Sequence, residues 1–434
     1  MIIEMVNNKL GIRMISNNNP VLLLLRDTCH KRICPGAVVC ASRKGLVRYD
    51  HAIGYASLYP EPVPLVFPAL FDVASLTKAV ATTSAIMLLI VSGELELDQP
   101  IGKFLVGFKH ATQQPITIRH LLNHCSGLPD YMPLYEELHA MRCTGEAPAL
   151  GAESVDWALE RISMLNIPPP GQQVIYSDLG FMILGRLVEL IATQDLDTFC
   201  REQIFLPLGM ENTFFLPLYN DTLRKERLRG HQIVATEQCP WRKRLLCGEV
   251  HDDNCHSFGG VAGHAGLFST AHDLHRFAIT LLRCSTGASN FFAPALVQEF
   301  WRPQQIVSDS TWTLGWDTPS PSGSQAGNMF SANSVGHLGF TGCSMWIDRD
   351  EEIIVIFLTN RVHPTRDNTG IRQLRPILHN TIYSLLTQST HLPPPRSHDL
   401  LPELTPEFDP YQPDPYPPEN KPLLPPPPKK KPFS

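Results

Sequence analysis

The sequence predicts an α+β fold in which an antiparallel sheet is assembled from both ends of the chain, flanked by helices, with a mostly helical region inserted between. Three observations carry this. Residues 36–40 (Gly-Ala-Val-Val-Cys) and 46–49 (Leu-Val-Arg-Tyr), joined across Arg43-Lys44-Gly45, read as one β-hairpin. Residues 343–347 and the β-rich run 353–358, joined across Asp348-Arg349-Asp350-Glu351, read as a second. Residues 117–125, 154–164, 178–191 and 271–282 between them read as helices, so the hairpins are natural sheet partners packed against helices. No internal repeat is present, and 434 residues of 43% apolar composition bury one large core or two smaller ones.

In chain order, residues 1–29 read as an N-terminal extension, 30–390 as the folded domain with a helical insert at roughly 94–250, and 391–434 as a tail. Phe71-Asp72-Val73-Ala74 leads into a long apolar run, residues 79–91, that stops at Gly93, the pattern of a buried helix with Ser75 at its first turn. Pro168-Pro169-Pro170-Gly171 marks a turn, residues 173–176 are short and extended, and Ser177 or Asp178 caps the next helix. Residues 334–342 are punctuated by Gly336, Gly339 and Gly342 before the last hairpin, and glycine in a strand marks close approach of a backbone or ligand. Past Gln388 the prolines accumulate up to Pro425-Pro426-Pro427-Pro428. Such a segment cannot bury a core and reads as an extended, solvated tail, or as a polyproline ligand for a protein partner.

Ser75-Leu76-Thr77-Lys78 holds the chemistry. Ser-x-x-Lys alone is weak evidence, since a chain this long contains about one by chance. On a helix, however, residues three apart share a face, so the Lys78 ammonium reaches the Ser75 hydroxyl. The first N–H groups of a helix have no intrahelical acceptor, which leaves the Ser75 N–H free for a developing oxyanion. A serine hydroxyl needs an adjacent base. Lys78 serves if burial favours its neutral form, or its charge makes a second base more acidic. Tyr176 is that second candidate: a phenol near an ammonium loses its proton more easily and can return it to a leaving group. The alternative readings are a helix-capping serine with a snorkelling lysine, a core tyrosine with an N-cap aspartate, and an edge strand carrying a lone His337.

Ser75-Leu76-Thr77-Lys78, Tyr176-Ser177-Asp178 and His337-Leu338-Gly339 occur in that order. Together with Ile118-Arg119-His120-Leu121-Leu122-Asn123-His124-Cys125-Ser126-Gly127-Leu128 and residues 259–270, they make the chain resemble the serine β-lactamase and penicillin-binding-protein superfamily over roughly residues 34–386. The flavour is that of the class C β-lactamase-related hydrolases, which include D-Ala-D-Ala carboxypeptidases and certain esterases. The resemblance implies the same sheet-and-helix architecture with the site between the two regions. It implies Ser75 as the acylated nucleophile, Lys78 and Tyr176 as the proton-transfer pair, and the N–H groups of Ser75 and Phe340 as the oxyanion hole. Asp178, His337, Gly339 and Phe340 then line the substrate, and His124 and His264 pin loops. Two departures stand out. The second motif usually ends in Asn, whereas Asp178, when ionised, can only accept hydrogen bonds; the third is usually Lys-Thr-Gly or His-Thr-Gly, and Leu338 has no hydroxyl for a substrate carboxylate.

The expected reaction is acylation of Ser75 by an amide or ester followed by hydrolysis, without a cofactor, on a small-molecule or peptide substrate. A small-ester carboxylesterase and a non-hydrolytic acyl-binding sensor are the alternatives. A net charge of -6 and the absence of a Lys/Arg stripe in the folded region exclude a nucleic-acid footprint. The longest early apolar run, residues 21–25, follows Glu4, Asn7 and Asn8 and is too short for a signal-peptide core or a membrane span. The expected compartment is therefore cytoplasmic, with export by another route or a different start codon left open. Eleven scattered cysteines suit a reducing compartment, and Cys239, Cys247, His251, Cys255 and His256 match no zinc spacing, so no metal is expected there.

Overall fold

In the computed structural model, which describes residues 19–108 and 115–388, both expected hairpins form and lie in one sheet. The strands are β1 (Gly36–Arg43), β2 (Leu46–Ser57), β3 (Val63–Pro64), β4 (Ala69–Asp72), β5 (Phe214–Phe215), β6 (Gln232–Ile233), β7 (Gln238–Cys239), β8 (Arg244–Leu245), β9 (Leu267–Ser269), β10 (Val335–Leu338), β11 (Ser344–Asp348) and β12 (Ile353–Thr359). The main sheet has the order β10-β11-β12-β1-β2-β3. Arg43 pairs with Leu46 across Lys44 and Gly45, whose φ values of +52° and +73° are those of a tight hairpin turn matched to strand twist. In the second turn Asp348 Oδ1 accepts the N–H groups of Asp350 and Glu351, closing the loop between the paired Asp348 and Ile353. The two chain ends join where β1 runs antiparallel to β12, from Ala37 opposite Thr359 to Arg43 opposite Ile353.

Alternation along these strands sorts the core into two layers. Val38, Cys40, Met345, Ile347, Ile354, Ile356 and Leu358 face inward to the large core. Val39, Ala41, Trp346, Val355 and Phe357 face outward to a second one. The helices are α1 (Pro20–His30), α2 (Ser84–Val91), α3 (Ile118–Leu122), α4 (Leu134–Thr144), α5 (Ala152–Ser163), α6 (Asp178–Ala192), α7 (Leu196–Cys200), α8 (Asp221–Leu228), α9 (Asp253–Ser257), α10 (Ala271–Ser285), α11 (Pro294–Trp301) and α12 (Ile371–Thr387). Of these, α2, α6 and α10 build the inner core, while α1 and α12 cover the outer face. The expected insert region holds α3 to α8 with only two-residue strands among them.

One boundary differs from the expectation. The stretch expected as an N-terminal extension contains α1, whose Val21, Leu24 and Leu25 are buried in the outer core. Asn19 caps it through the Val21 N–H at 2.9 Å and Pro20 stands at the first helical position, a start signal for a helix too short to look like a span. The expected tail lies outside the described residues. Among the described residues no helix is long and apolar enough to cross a membrane.

Leu25→Ala, at a fully buried position in α1, is expected to cost about 2–5 kcal/mol in denaturant unfolding. Truncation after Gln388 is expected to leave the melting temperature unchanged, because the buried row of α12 ends at Leu386. A melting temperature that falls sharply on truncation, or is indifferent to the leucine, would contradict this packing.

Candidate active site

Four separated pieces of chain converge on the start of the α2 segment. At the end of β4, Asp72 Oδ1 accepts the Ala74 N–H at 2.8 Å while Oδ2 accepts the His251 N–H at 2.6 Å. Ala74 has φ +48°, a left-handed conformation that costs a non-glycine residue energy and turns the chain sharply from strand into helix. Ser75 follows on that corner. The backbone then winds as a π-helix over Lys78–Thr83 before α2, a widening found often at functional sites. The N–H groups of Ser75 and Phe340 have no intramolecular acceptor among the described residues, the condition for an oxyanion hole.

Lys78 is 0% exposed, and all its polar contacts come from this convergence. Its Nζ donates to Ser75 Oγ at 2.9 Å and to the His264 carbonyl at 3.0 Å, and pairs with Asp178 Oδ1 at 2.6 Å. It also lies 5.0 Å from the centre of the Tyr176 ring. Burial opposes the charge, but Asp178 and Tyr176 outweigh it and hold the ammonium above its ordinary pKa. Lys78 is therefore cationic at rest. The Tyr176 hydroxyl interacts with both Ser75 and Lys78, yet burial pushes its pKa up and the neighbouring charge does not reverse this. The ammonium does ease the phenol's ionisation, as expected, but the removal of water from Tyr176, with Asp178 close by, outweighs that attraction, so Tyr176 is a phenol at rest.

The remaining expected residues are brought to the same place. Ser177, not Asp178, caps α6 through the Gly180 N–H, which leaves the Asp178 carboxylate to the lysine. His337, on β10, is buried; its Nδ1 lies 2.9 Å from the Leu338 carbonyl, and burial followed by the Lys78 charge pushes its pKa down to about 3. It is a neutral imidazole. Gly339 is required by close approach, since a Cβ there would lie 2.6 Å from the Val73 carbonyl beside Ser75. Phe340 is 53% exposed, its ring stacked on His251 at 5.7 Å and its carbonyl held by Arg361 Nε at 2.8 Å. Leu338 points to the other face of the sheet, packed on the outer core, and supplies no donor.

His124 and His264 were expected to pin loops, whereas Gly185, Gly263 and Arg375 were not legible as positioning residues. His124 Nδ1 accepts the Ser177 N–H at 3.1 Å and its ring packs 4.6 Å from Tyr176, which in turn stacks on Trp312 at 5.2 Å. His264 meets Asp252 at 2.9 Å, so both histidines pin loops. Gly185 and Gly263 let α6 and the 259–266 loop touch backbone to backbone: a Cβ on Gly263 would lie 2.1 Å from the Phe181 carbonyl. Buried Arg375 donates to the carbonyls of Gly339 and Cys343, both at 2.8 Å. The five residues considered for zinc do not converge: His251 turns to Glu237, Cys255 to the Ala265 carbonyl and Cys247 to the Ile233 carbonyl.

Comparison with known proteins gives the family and the fold. The model of the family described as Beta-lactamase matches residues 24–378. The chain is 32% identical over 341 residues to the "Putative D-alanyl-D-alanine carboxypeptidase" of Escherichia coli K12, covering 73% of this chain and 74% of that protein. The protein of the same name from Salmonella typhimurium LT2 is 30% identical over 334 residues, covering 72% and 75%. Similar solved structures include EstCE1, a hydrolase with promiscuous acyltransferase activity, with a TM-score of 0.64 and 21% identity over 84% of this chain and 97% of that one. The penicillin-binding protein homologue from Pyrococcus abyssi has a TM-score of 0.62 and 20% identity over 84% and 76%. Simvastatin synthase from Aspergillus terreus has 0.63 and 21% over 86% and 100%. At these identities the structures share the fold.

The buried imidazoles make stability depend on pH. Burial lowers the pKa of His124 strongly, that of His337 and of His379 to about 3, and that of His363 to about 4. Unfolded, each binds a proton near pH 6.5. The unfolded state therefore holds more protons below that pH, so stability is full above it and falls as pH drops toward the folded values. The expected slope is up to about 1.4 kcal/mol per pH unit for each group. Denaturant unfolding at about pH 7.5, 6 and 5 measures it; a flat profile would show that these histidines are not held neutral.

Proposed function

The chain belongs to the beta-lactamase family, and we propose that it is a serine hydrolase that forms an acyl-enzyme on Ser75 from a neutral ester or amide and then hydrolyses it. The observation that supports this most is the buried Lys78 ammonium at 2.9 Å from Ser75 Oγ with Asp178 at 2.6 Å. An ammonium cannot accept a proton, so Lys78 first hands one to Asp178, leaving an amine and a carboxylic acid. As Ser75 Oγ bonds to the substrate carbonyl carbon, its proton passes to the Lys78 amine, and the oxyanion is taken by the N–H groups of Ser75 and Phe340. The Tyr176 phenol gives its proton to the leaving group as that bond breaks, and recovers one from Lys78. Water then repeats the sequence in reverse and frees Ser75.

Substrate charge follows from the same residues. A β-lactam or a D-alanyl peptide carries a carboxylate near the scissile bond. Here Asp178 is paired with Lys78, so their charges cancel, His337 is neutral and Leu338 points outward, which leaves a substrate carboxylate without a cation of its own. Small neutral substrates, including peptides without a carboxylate at the scissile residue, fit better. The exposed Phe340 ring offers an apolar lip for the acyl group.

Ser75→Ala is expected to abolish turnover and covalent labelling, a loss of roughly 10³–10⁶-fold. Intact-mass analysis after mixing with a labelled penicillin and, separately, an activated ester reads the adduct directly. A transient adduct with product release is the hydrolase outcome, whereas a stable adduct without release would make the protein an acyl-binding sensor. Undiminished turnover by the alanine variant would end the proposal.

Asp178→Asn tests the proton step and the substrate preference together. Without its counter-ion, Lys78 must lose its proton to solvent, so the acid limb of the kcat/KM profile is expected to move to higher pH, since an ammonium deprotonates above a carboxyl. With its counter-ion gone the Lys78 charge is free to attract a substrate carboxylate, which is expected to raise kcat/KM for a penicillin by roughly tenfold relative to a matched neutral ester, about 1.4 kcal/mol. An unmoved acid limb would show that Asp178 does not exchange a proton with Lys78.

A further inference from the structure

Away from the site, on the sheet face covered by α10, three metal-ligand side chains meet. Cys40 on β1 and Asp50 on β2 are directly opposite in register, so both project from the same face. His272, in the first turn of α10, places Nε2 2.9 Å from Asp50 Oδ2. The Cys40 Sγ, a carboxylate oxygen of Asp50 and a ring nitrogen of His272 all lie within 4.8 Å of one another. Their exposure is graded: Cys40 is fully buried, Asp50 half-buried and His272 exposed, which makes a closed floor with an open entrance. The Phe67 ring meets the imidazole edge-on at 4.5 Å and fixes its plane.

The contacts within the group leave coordination capacity unused. Asp50 Oδ1 is buried and has no hydrogen-bond partner among the described residues, although a buried carboxylate oxygen ordinarily finds one. His275, one turn after His272, turns its Nε2 toward Ser42 Oγ at 2.7 Å, and Ser42 stands two residues beyond Cys40 on β1. Thus β1 and α10 face each other here across cysteine, serine and two histidines.

We propose that Cys40, Asp50 and His272 bind a zinc ion, with water in the fourth position. A sulfur, a nitrogen and an oxygen donor together suit zinc and not the all-oxygen shells of magnesium or calcium. On binding, the Cys40 S–H bond breaks, its proton leaves to solvent and the freed electron pair makes the zinc–sulfur bond. His272, whose Nε2 proton faces Asp50 in the metal-free site, shifts that proton to Nδ1 through solvent and gives the freed Nε2 lone pair. Thiolate and carboxylate together cancel the charge of the dication, so the site is neutral where it meets the core. It lies on β1 and β2, separated from β10 by β11 and β12, and its effect is to clamp α10 to the sheet rather than to take part in acyl transfer.

Cobalt(II) titration of the full chain under reducing conditions tests this. The expected result is one ion per chain with a thiolate-to-cobalt charge-transfer band in the near ultraviolet, displaced by zinc, and a rise in melting temperature with added zinc. Both effects are expected to vanish in Cys40→Ser and in His272→Gln, the second being an exposed substitution that leaves the core intact. Absence of the thiolate band in the full chain would overturn the proposal. So would a band that persists in His272→Gln, which would belong to the exposed Cys143 or Cys247.

Discussion

A lysine ammonium with no exposure to solvent sets the terms for the rest of this molecule. Moving such a charge out of water is costly unless every proton on it is met by an acceptor and its charge by an anion. Lys78 meets Ser75 Oγ, the His264 carbonyl and Asp178, which come from the β4–α2 corner, the loop before β9 and the start of α6. None of these groups is near another in sequence. The fold must bring all three together or leave a bare buried cation, and the same convergence puts a serine hydroxyl, a charge and a phenol within one small volume.

The shell around that lysine is held by backbone as much as by side chains. Asp72 ties the strand before Ser75 to the loop at His251, and Thr341 Oγ1 donates to the Asp72 carbonyl at 2.8 Å, so the third motif is fastened to the first. Arg361 and Arg375 have no carboxylate partner among the described residues. They spend their donors on backbone carbonyls, Arg375 on Gly339 and Cys343 and Arg361 on Phe340, Arg366 and Asn368, and burial lowers the pKa of each to about 10. Charged donors to carbonyls make strong hydrogen bonds, and here they fix the strand end from which the Phe340 N–H projects. Glycine at 185, 263 and 339 is needed because backbone touches backbone there.

The hairpins, the helix after Ser75 and the helix after Ser177 were legible because each rests on local physics: β-branched alternation around a Lys-Gly turn, an apolar run closed by Gly93, and an N-cap serine. The α1 helix was not, since an eleven-residue helix at the edge of the fold owes its existence to the outer face of a sheet made by residues 37–41 and 353–357. The roles of Asp72, Arg361 and Arg375 were equally hidden. An arginine that binds carbonyls looks in sequence like any surface arginine.

By itself the sequence determined which residues could do chemistry, because Ser75 and Lys78 are three apart on a helix and that spacing alone puts them on one face. It also determined the antiparallel sheet from the two chain ends. Only the tertiary structure decided the protonation of the site. Whether Lys78 is an amine or an ammonium, whether Tyr176 is a phenol, and whether His337 is a cation depend on burial and on the distances to Asp178 and Lys78, and these are set by contacts between segments about a hundred residues or more apart. Electrostatic energy in a low-dielectric interior varies with position over a few ångströms, a scale that spacing along a chain does not fix.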